Sequence, residues 1–149
     1  MNSTLDTNIL VYTVGSSADP KRVRARDLII RGMRSGTTIL MLQSLAEFSN
    51  VATRKLGIDP DSVRRRVQAW ANVMPVQAAA EQDLVGALQI LHDHKLPFWD
   101  ALLCATATRA GVRYLLTEDL PDGRSLHGLA IVNPFLPGNA ALIDSILPP

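Results

Sequence analysis

Four acidic residues hold positions from which carboxylates could converge. Asp6 follows the opening segment MNSTL, and Glu47 lies in SLAEFSNVA. Asp100 comes just after Pro97-Phe98-Trp99, and Asp119 follows the apolar run RYLL. Two carboxylates ~4 Å apart repel by roughly 4 kcal/mol at an effective dielectric near 20. A convergent set must therefore shift upward in pKa or take up a cation. With neither histidine nor cysteine among them, the donors are hard oxygens, which suit Mg²⁺ or Mn²⁺ better than zinc. Magnesium held by carboxylates activates a water and stabilises a leaving oxygen in phosphoryl and phosphodiester displacements. Cleavage of a nucleic acid is the chemistry these residue types imply.

Each acid also has an ordinary structural role open to it. Asp100 suits the first turn of a helix, where an acid complements the helix dipole by ~0.3–1 kcal/mol. Asp6 can serve as a turn or capping residue, with Thr7 and Asn8 competing for the same backbone bonds. Pro121-Asp122-Gly123 is common turn chemistry in its own right. Glu47 is the most informative, because Leu45, Phe48 and Val51 mark an apolar face. An acid on or beside such a face is costly unless something satisfies it. Glu118 precedes Asp119 and Asp122 follows it by three, and composition alone does not choose among them.

The elements that must position these residues alternate between short apolar runs and longer helical patterns, which predicts an α/β fold with a mostly parallel sheet. Strands are expected over 1–5, 37–42, 73–76, 113–116 and 129–134. Helices are expected over about 7–14, 20–35, 43–55, 60–72, 80–94 and 98–110. Asp59-Pro60 places a capping acid before a proline at the first helical position, with Val63, Val67 and Trp70 following at helical spacing. Leu84, Leu88 and Leu91 recur at i, i+4, i+7, and Gly111 offers a stop after the 98–110 helix. The small residues Ala101, Cys104, Ala105 and Ala107 predict close packing of that helix on the sheet, with Cys104 in the core. Open parallel sheets take ligands outside the carboxyl ends of their strands. By that rule Asp6, Glu47, Asp100 and Asp119 all face one edge.

At 149 residues the chain fits one domain, with residues 136–149 set apart as a short tail. Apolar residues at 47% and charged residues at 19% describe a soluble globular protein. No run approaches the length of a membrane span, and the start lacks the pattern of a signal peptide, so a cytoplasmic protein is expected. Cys104 is the lone cysteine, and His92 and His94 fall on different sides of a helix. A soft-metal site is not indicated.

The net charge of +1 conceals an asymmetry: residues 1–66 carry +5 and residues 67–149 carry −4. A basic half beside an acidic half would let phosphates be held next to the carboxylates, although a pI near 8.0 is modest for a nucleic-acid binder. Aromatic platforms are few, which predicts little direct base reading. No glycine-rich nucleotide loop and no G-x-S-x-G elbow is present. Asn8 stands where an aspartyl-phosphate phosphatase needs its second acid.

In their order along the chain, LDTNILVY, SLAEFSNV, FWDALLCATATRAGVRYLLTEDLPDG and VNPF closely resemble PIN-domain ribonucleases, especially the VapC-type toxins of bacterial toxin–antitoxin modules. The resemblance runs from Asn2 to Phe135, and the ordered set carries it, since DTN alone is weak. It implies a three-layer α/β/α sandwich and metal-dependent hydrolysis of RNA, with tRNA or rRNA as the expected substrate. It further implies that Asp6, Glu47, Asp100 and Asp119 form the acidic centre. Asp6 and Asp100 would hold Mg²⁺ or Mn²⁺ most directly, with Asn8 and Thr117 in support. A cognate antitoxin and a homodimer are the partners it implies. Two other readings stand beside it: a PIN nuclease that processes RNA, and a catalytically silent PIN-like module that binds RNA or protein. The short, polar first strand departs from the family pattern.

Overall fold

Neighbouring residues of the apolar runs go to opposite faces of one sheet. Leu115 and Ile131 enter one core, while Leu116 and Val132 enter the other. A strand covered on both faces needs apolar residues in succession rather than in alternation. The computed structural model describes residues 2–149, so the first residue of the expected strand 1–5 lies outside the described residues.

The strands are β1 (Ser3–Leu5), β2 (Leu40–Met41), β3 (Val76–Gln77), β4 (Tyr114–Leu116), β5 (Ser125–Leu126) and β6 (Leu129–Val132). The helices are α1 (Thr7–Tyr12), α2 (Lys21–Ser35), α3 (Leu42–Arg54), α4 (Pro60–Ala71), α5 (Glu81–Asp93), α6 (Phe98–Arg109) and α7 (Ala140–Ile146). Central β4 pairs in parallel with β1 (Ser3 opposite Tyr114) and with β6 (Tyr114 opposite Ala130). β5 adds antiparallel to β6, and β2 pairs in parallel with β3. A bridge between Ser3 and Thr38 joins the second pair to β1. The chain thus moves from β1 to β2 and β3 on one side, then returns to β4 and β6 on the other. The order reverses at β1, which is where open α/β sheets form their ligand crevice.

Helices cover both faces of this mostly parallel sheet and give three layers, as expected. One core unites β1 with α1, α2, α3, α4 and α7 around Phe48, Trp70 and Leu28. The other unites β4, β5 and β6 with α5 and α6, and it contains the fully buried Cys104. Asp59 accepts from Ser62 N to cap α4, and Gly111, at φ +77, adopts the left-handed conformation that ends α6.

Four expectations need correction. β3 lies at Val76–Gln77 rather than 73–76, because Val73 N and Met74 N both bond to the Trp70 carbonyl and continue the end of α4. β5 was not expected: it forms a hairpin with β6 through His127 and Gly128, both at positive φ (51° and 89°). The segment after Pro134 is not separable, since α7 buries Ile143, Ile146 and Leu147 in the first core. Finally, Leu84 and Leu88 are exposed, and α5 turns Asp83, Ala87 and Ile90 inward. The reason is close packing on α6: a Cβ at Gly86 would stand 3.4 Å from that of Ala105, so small residues occupy the contact.

Asp83 is buried at that contact, where its carboxylate accepts from Arg109 Nε at 2.7 Å and from Ala80 N at 2.7 Å. The Arg109 guanidinium holds the Asp83 carboxyl below its usual range, opposed by burial. A depressed folded pKa contributes stability that is present above the unfolded value and lost as pH falls through the folded one. Arg109→Gln should therefore destabilise the protein at neutral pH, and its deficit should shrink on acidification below about pH 4. Urea melts across pH 3–7 check this; a deficit independent of pH would refute it.

Candidate active site

Asp6 follows β1 directly, and its side chain accepts from Thr7 N at 2.7 Å as α1 begins. β4 ends one strand away, and Thr117 just beyond it ties the two strand ends together. Its hydroxyl donates to Asp6 Oδ2 at 2.7 Å and accepts from Asp119 N at 3.1 Å. Asn8, in the first turn of α1, donates from Nδ2 to Asp119 Oδ2 at 2.5 Å. Asp6, Asn8, Thr117 and Asp119 are therefore one connected network at the carboxyl ends of adjacent parallel strands.

The helices bring the other two acids. Asp100 stands in the first turn of α6 without a hydrogen-bond partner for its carboxylate among the described residues. Glu47, on α3, accepts from Thr7 Oγ1 at 3.0 Å and from Gln43 Nε2 at 3.0 Å. Gln43 also donates to the Trp99 carbonyl at 2.9 Å, linking α3 to the start of α6. Glu47 is exposed rather than lodged on the apolar face of α3, because the helix turns Leu45 and Phe48 inward and leaves position 47 outside. Thr7 and Gln43 were missed as partners; the spacing of Gln43 four residues before Glu47 was the signal available.

The structure also separates the three acids that follow β4. Glu118 is held by the Tyr12 hydroxyl and by Lys21 Nζ at 2.5 Å. Asp122 accepts from Asn133 N and Asn139 Nδ2, each at 2.8 Å, and so ties down the C-terminal segment. Asp119 alone of the three joins the network with Asp6 and Asn8.

These carboxylates feel one another. Burial raises the Asp6 carboxyl to about 6, against the pull of its bonds from Thr117 and Thr7, and Asp119 and Asp100 raise it further. Asp100 is raised by burial, then by Asp119 and Glu47. Asp119 is raised by burial and by Glu118, with Lys21 opposing. A raised acid contributes stability that is present below the unfolded pKa and lost as pH climbs through the folded one. Asp6 therefore strains the metal-free protein at pH 7. Asp6→Asn should raise metal-free stability by about 1–3 kcal/mol, less the value of one accepted bond. The gain should vanish near pH 4. Thermal melts at the two pH values decide; a destabilised variant at pH 7 would refute it.

The PIN domain family matches residues 4–120, and the chain belongs to that family. No curated protein matches it in sequence. Among solved structures it is similar to a toxin–antitoxin complex from Klebsiella pneumoniae, at 18% identity and a TM-score of 0.65, covering 90% of this chain and 98% of that one. It is similar also to a DNA-bound VapBC from Salmonella typhimurium, at 18% identity and 0.63, covering 88% and 96%. A third is VapC20 of Mycobacterium tuberculosis, described as a toxin that cleaves the sarcin–ricin loop, at 17% identity and 0.62, covering 79% and 92%. At these identities the likeness is one of fold.

Proposed function

We propose that the protein is a metal-dependent endoribonuclease acting as the toxin of a toxin–antitoxin pair. The observation that carries this reading is the convergence of Asp6, Glu47, Asp100 and Asp119 at the β1 switch point of a PIN fold, with the carboxyls of Asp6, Asp100 and Asp119 raised by burial and by neighbouring acids. Among the described residues no three His, Cys, Asp or Glu side chains already form a metal cage. The donor set still fits a hard divalent cation: all ligands are carboxylates, and their repulsion is the penalty such an ion relieves. Asp6 and Asp100 would hold Mg²⁺ or Mn²⁺ most directly, with Glu47 and Asp119 completing the ligands or orienting the attacking water. When bound, the cation supplies an activated water and charge neutralisation at the leaving oxygen.

The chain's own residues prepare this site. Thr117 and Thr7 N fix the Asp6 carboxylate by two donated bonds, and Asn8 fixes that of Asp119. Lys21 and Tyr12 keep Glu118 occupied, so it does not compete for the cation. Trp99 is 63% exposed beside Asp100 and offers a ring on which a base can stack. One structural neighbour is described as a toxin that cleaves the sarcin–ricin loop and another as a toxin–antitoxin complex, which favours tRNA or rRNA as substrate and a cognate antitoxin as partner. The exposed Leu84, Val85 and Leu88 of α5 suit a homodimer contact. We read residues 1–149 as a single cytoplasmic domain that includes the 136–149 segment; among the described residues no helix is long and apolar enough to cross a membrane.

The test is cleavage of end-labelled tRNA and rRNA by purified protein with Mg²⁺ or Mn²⁺, against an EDTA control. Discrete cuts that require the metal are expected. Intact RNA from folded protein with demonstrated Mg²⁺ binding would turn the reading toward a silent binding module.

A further inference from the structure

Five of the nine cations on α2 and α4 have an acid partner among the described residues. Lys21 pairs with Glu118, Arg24 and Arg31 with Asp27, Arg31 also with Asp144, and Arg64 and Arg65 with Asp61. Arg22, Arg26 and Arg66 have none among the described residues, and all three line one concavity of about 210 Å³ between α2 and α4. Its floor includes Phe48 and Val63, and no carboxylate lines it among the described residues. Arg22 Nε is shut off from solvent yet has no hydrogen-bond partner among the described residues. Arg26 spends one nitrogen on the Thr13 carbonyl at 3.1 Å, and among the described residues Arg66 has only the Trp70 ring face, 6.0 Å from its guanidinium carbon.

Three guanidiniums around one hollow repel each other, and Arg22 and Arg26 sit one helical turn apart, where like charges are disfavoured. A buried donor left without an acceptor adds to the cost. Such an arrangement is balanced by an anion. A phosphate directs oxygens tetrahedrally and can meet donors arriving from two opposed helices, whereas the two oxygens of a carboxylate lie in one plane.

We propose that Arg22, Arg26 and Arg66 form a phosphate site that holds one backbone phosphate of the RNA strand. The proposal rests on the nuclease reading above. α1 supplies the link: Asp6 and Asn8 stand at its start, and the Thr13 carbonyl that Arg26 grips stands at its end. Six residues of helix span about 9 Å, a distance that a single strand crosses in a few nucleotides. The arginines would thus hold the strand a few nucleotides from the bond to be cut, fixing register without reading sequence.

Binding of a fluorescent mixed-sequence oligoribonucleotide to full-length Asp100→Asn protein tests this across a range of salt concentrations. Arg22→Gln and Arg66→Gln should each weaken binding about tenfold and lower the salt slope by roughly 0.7, the value of one phosphate contact on a single strand. Arg22→Gln should melt no lower than its parent, because the native Nε is unsatisfied; should it unfold, Arg66→Gln gives the same reading. A second arm follows the rise in melting temperature caused by inorganic phosphate, which both substitutions should abolish. Unchanged RNA affinity and salt slope in folded variants would overturn the proposal, including the case in which the variants lose an acidic peptide instead. If the wild type neither binds nor cuts RNA but keeps an arginine-dependent response to phosphate, the nuclease reading fails and free phosphate is the ligand. If only that response is missing while cleavage persists, the nuclease stands and the site falls.

Discussion

Asp100→Asn should reduce metal-dependent RNA cleavage by roughly 10³-fold or more while leaving the fold intact. The carboxylate has no hydrogen-bond partner to lose among the described residues, so the amide replaces it without breaking a contact. What disappears, on the proposed reading, is charge at the cation. Loss of one directly coordinating carboxylate removes several kcal/mol of transition-state stabilisation, and 1.36 kcal/mol corresponds to a factor of ten in rate. Asp6→Asn should be equally inactive, but with a raised metal-free melting temperature, a combination that misfolding cannot produce. Glu118→Gln, by contrast, should stay within about tenfold of wild type, because Lys21 and Tyr12 already occupy that carboxylate. Single-turnover cleavage of end-labelled RNA, with circular dichroism as a fold check, measures all three. A folded Asp100→Asn protein cutting at near wild-type rate would remove Asp100 from the site.

Phe48→Ala should cost about 3–5 kcal/mol of stability, or roughly 6–20 °C in Tm for a chain of this size. Phe48 is fully buried and packs against Trp70, with ring centroids 5.0 Å apart and planes at 54°. It fastens α3 to α4, and Glu47 precedes it on α3. Truncation therefore opens a cavity and also loosens the helix that carries one of the four acids. Phe48→Leu keeps most of the volume and should cost much less. Urea unfolding at constant m-value separates the two; a loss below about 1 kcal/mol for the alanine variant would show that the core there collapses to fill the space.

How far the sequence reveals this molecule depends on whether a signal is local. Asp59-Pro60 and Gly111 mark helix ends through their own backbone chemistry, and α4 and α6 lie where those marks put them. The strand-end acids could be placed at one edge because the carboxyl-end rule needs only strand order and direction. The choice of Asp119 over Glu118 and Asp122 was not legible from composition, since it turns on Tyr12 and Lys21, 106 and 97 positions from Glu118, and on Asn133 and Asn139, 11 and 17 positions after Asp122. β5 escaped notice because Arg124-Ser125-Leu126 is not an apolar run and His127-Gly128 replaces the usual Asn-Gly turn. α7 was readable in principle from Ile143, Ile146 and Leu147, but the surrounding Pro and Gly residues suggested a tail. Tertiary packing likewise decided which face of α5 is buried, against its leucine repeat.

The pairing of Ser3 with Tyr114 joins residues 111 positions apart. Contacts so distant in sequence form late, after the loop-closure entropy has been met. On a ribosome adding about 5–20 residues per second, Asp119 is joined to the chain roughly 6–24 s after synthesis begins. Through that interval β1 has no β4 to lie against, and Asp6 has neither Thr117 nor Asp119 beside it. On the proposed nuclease reading, a nascent chain stays inert until nearly its whole length has been made, and the delay gives any partner made alongside it time to be present when the acids first come together.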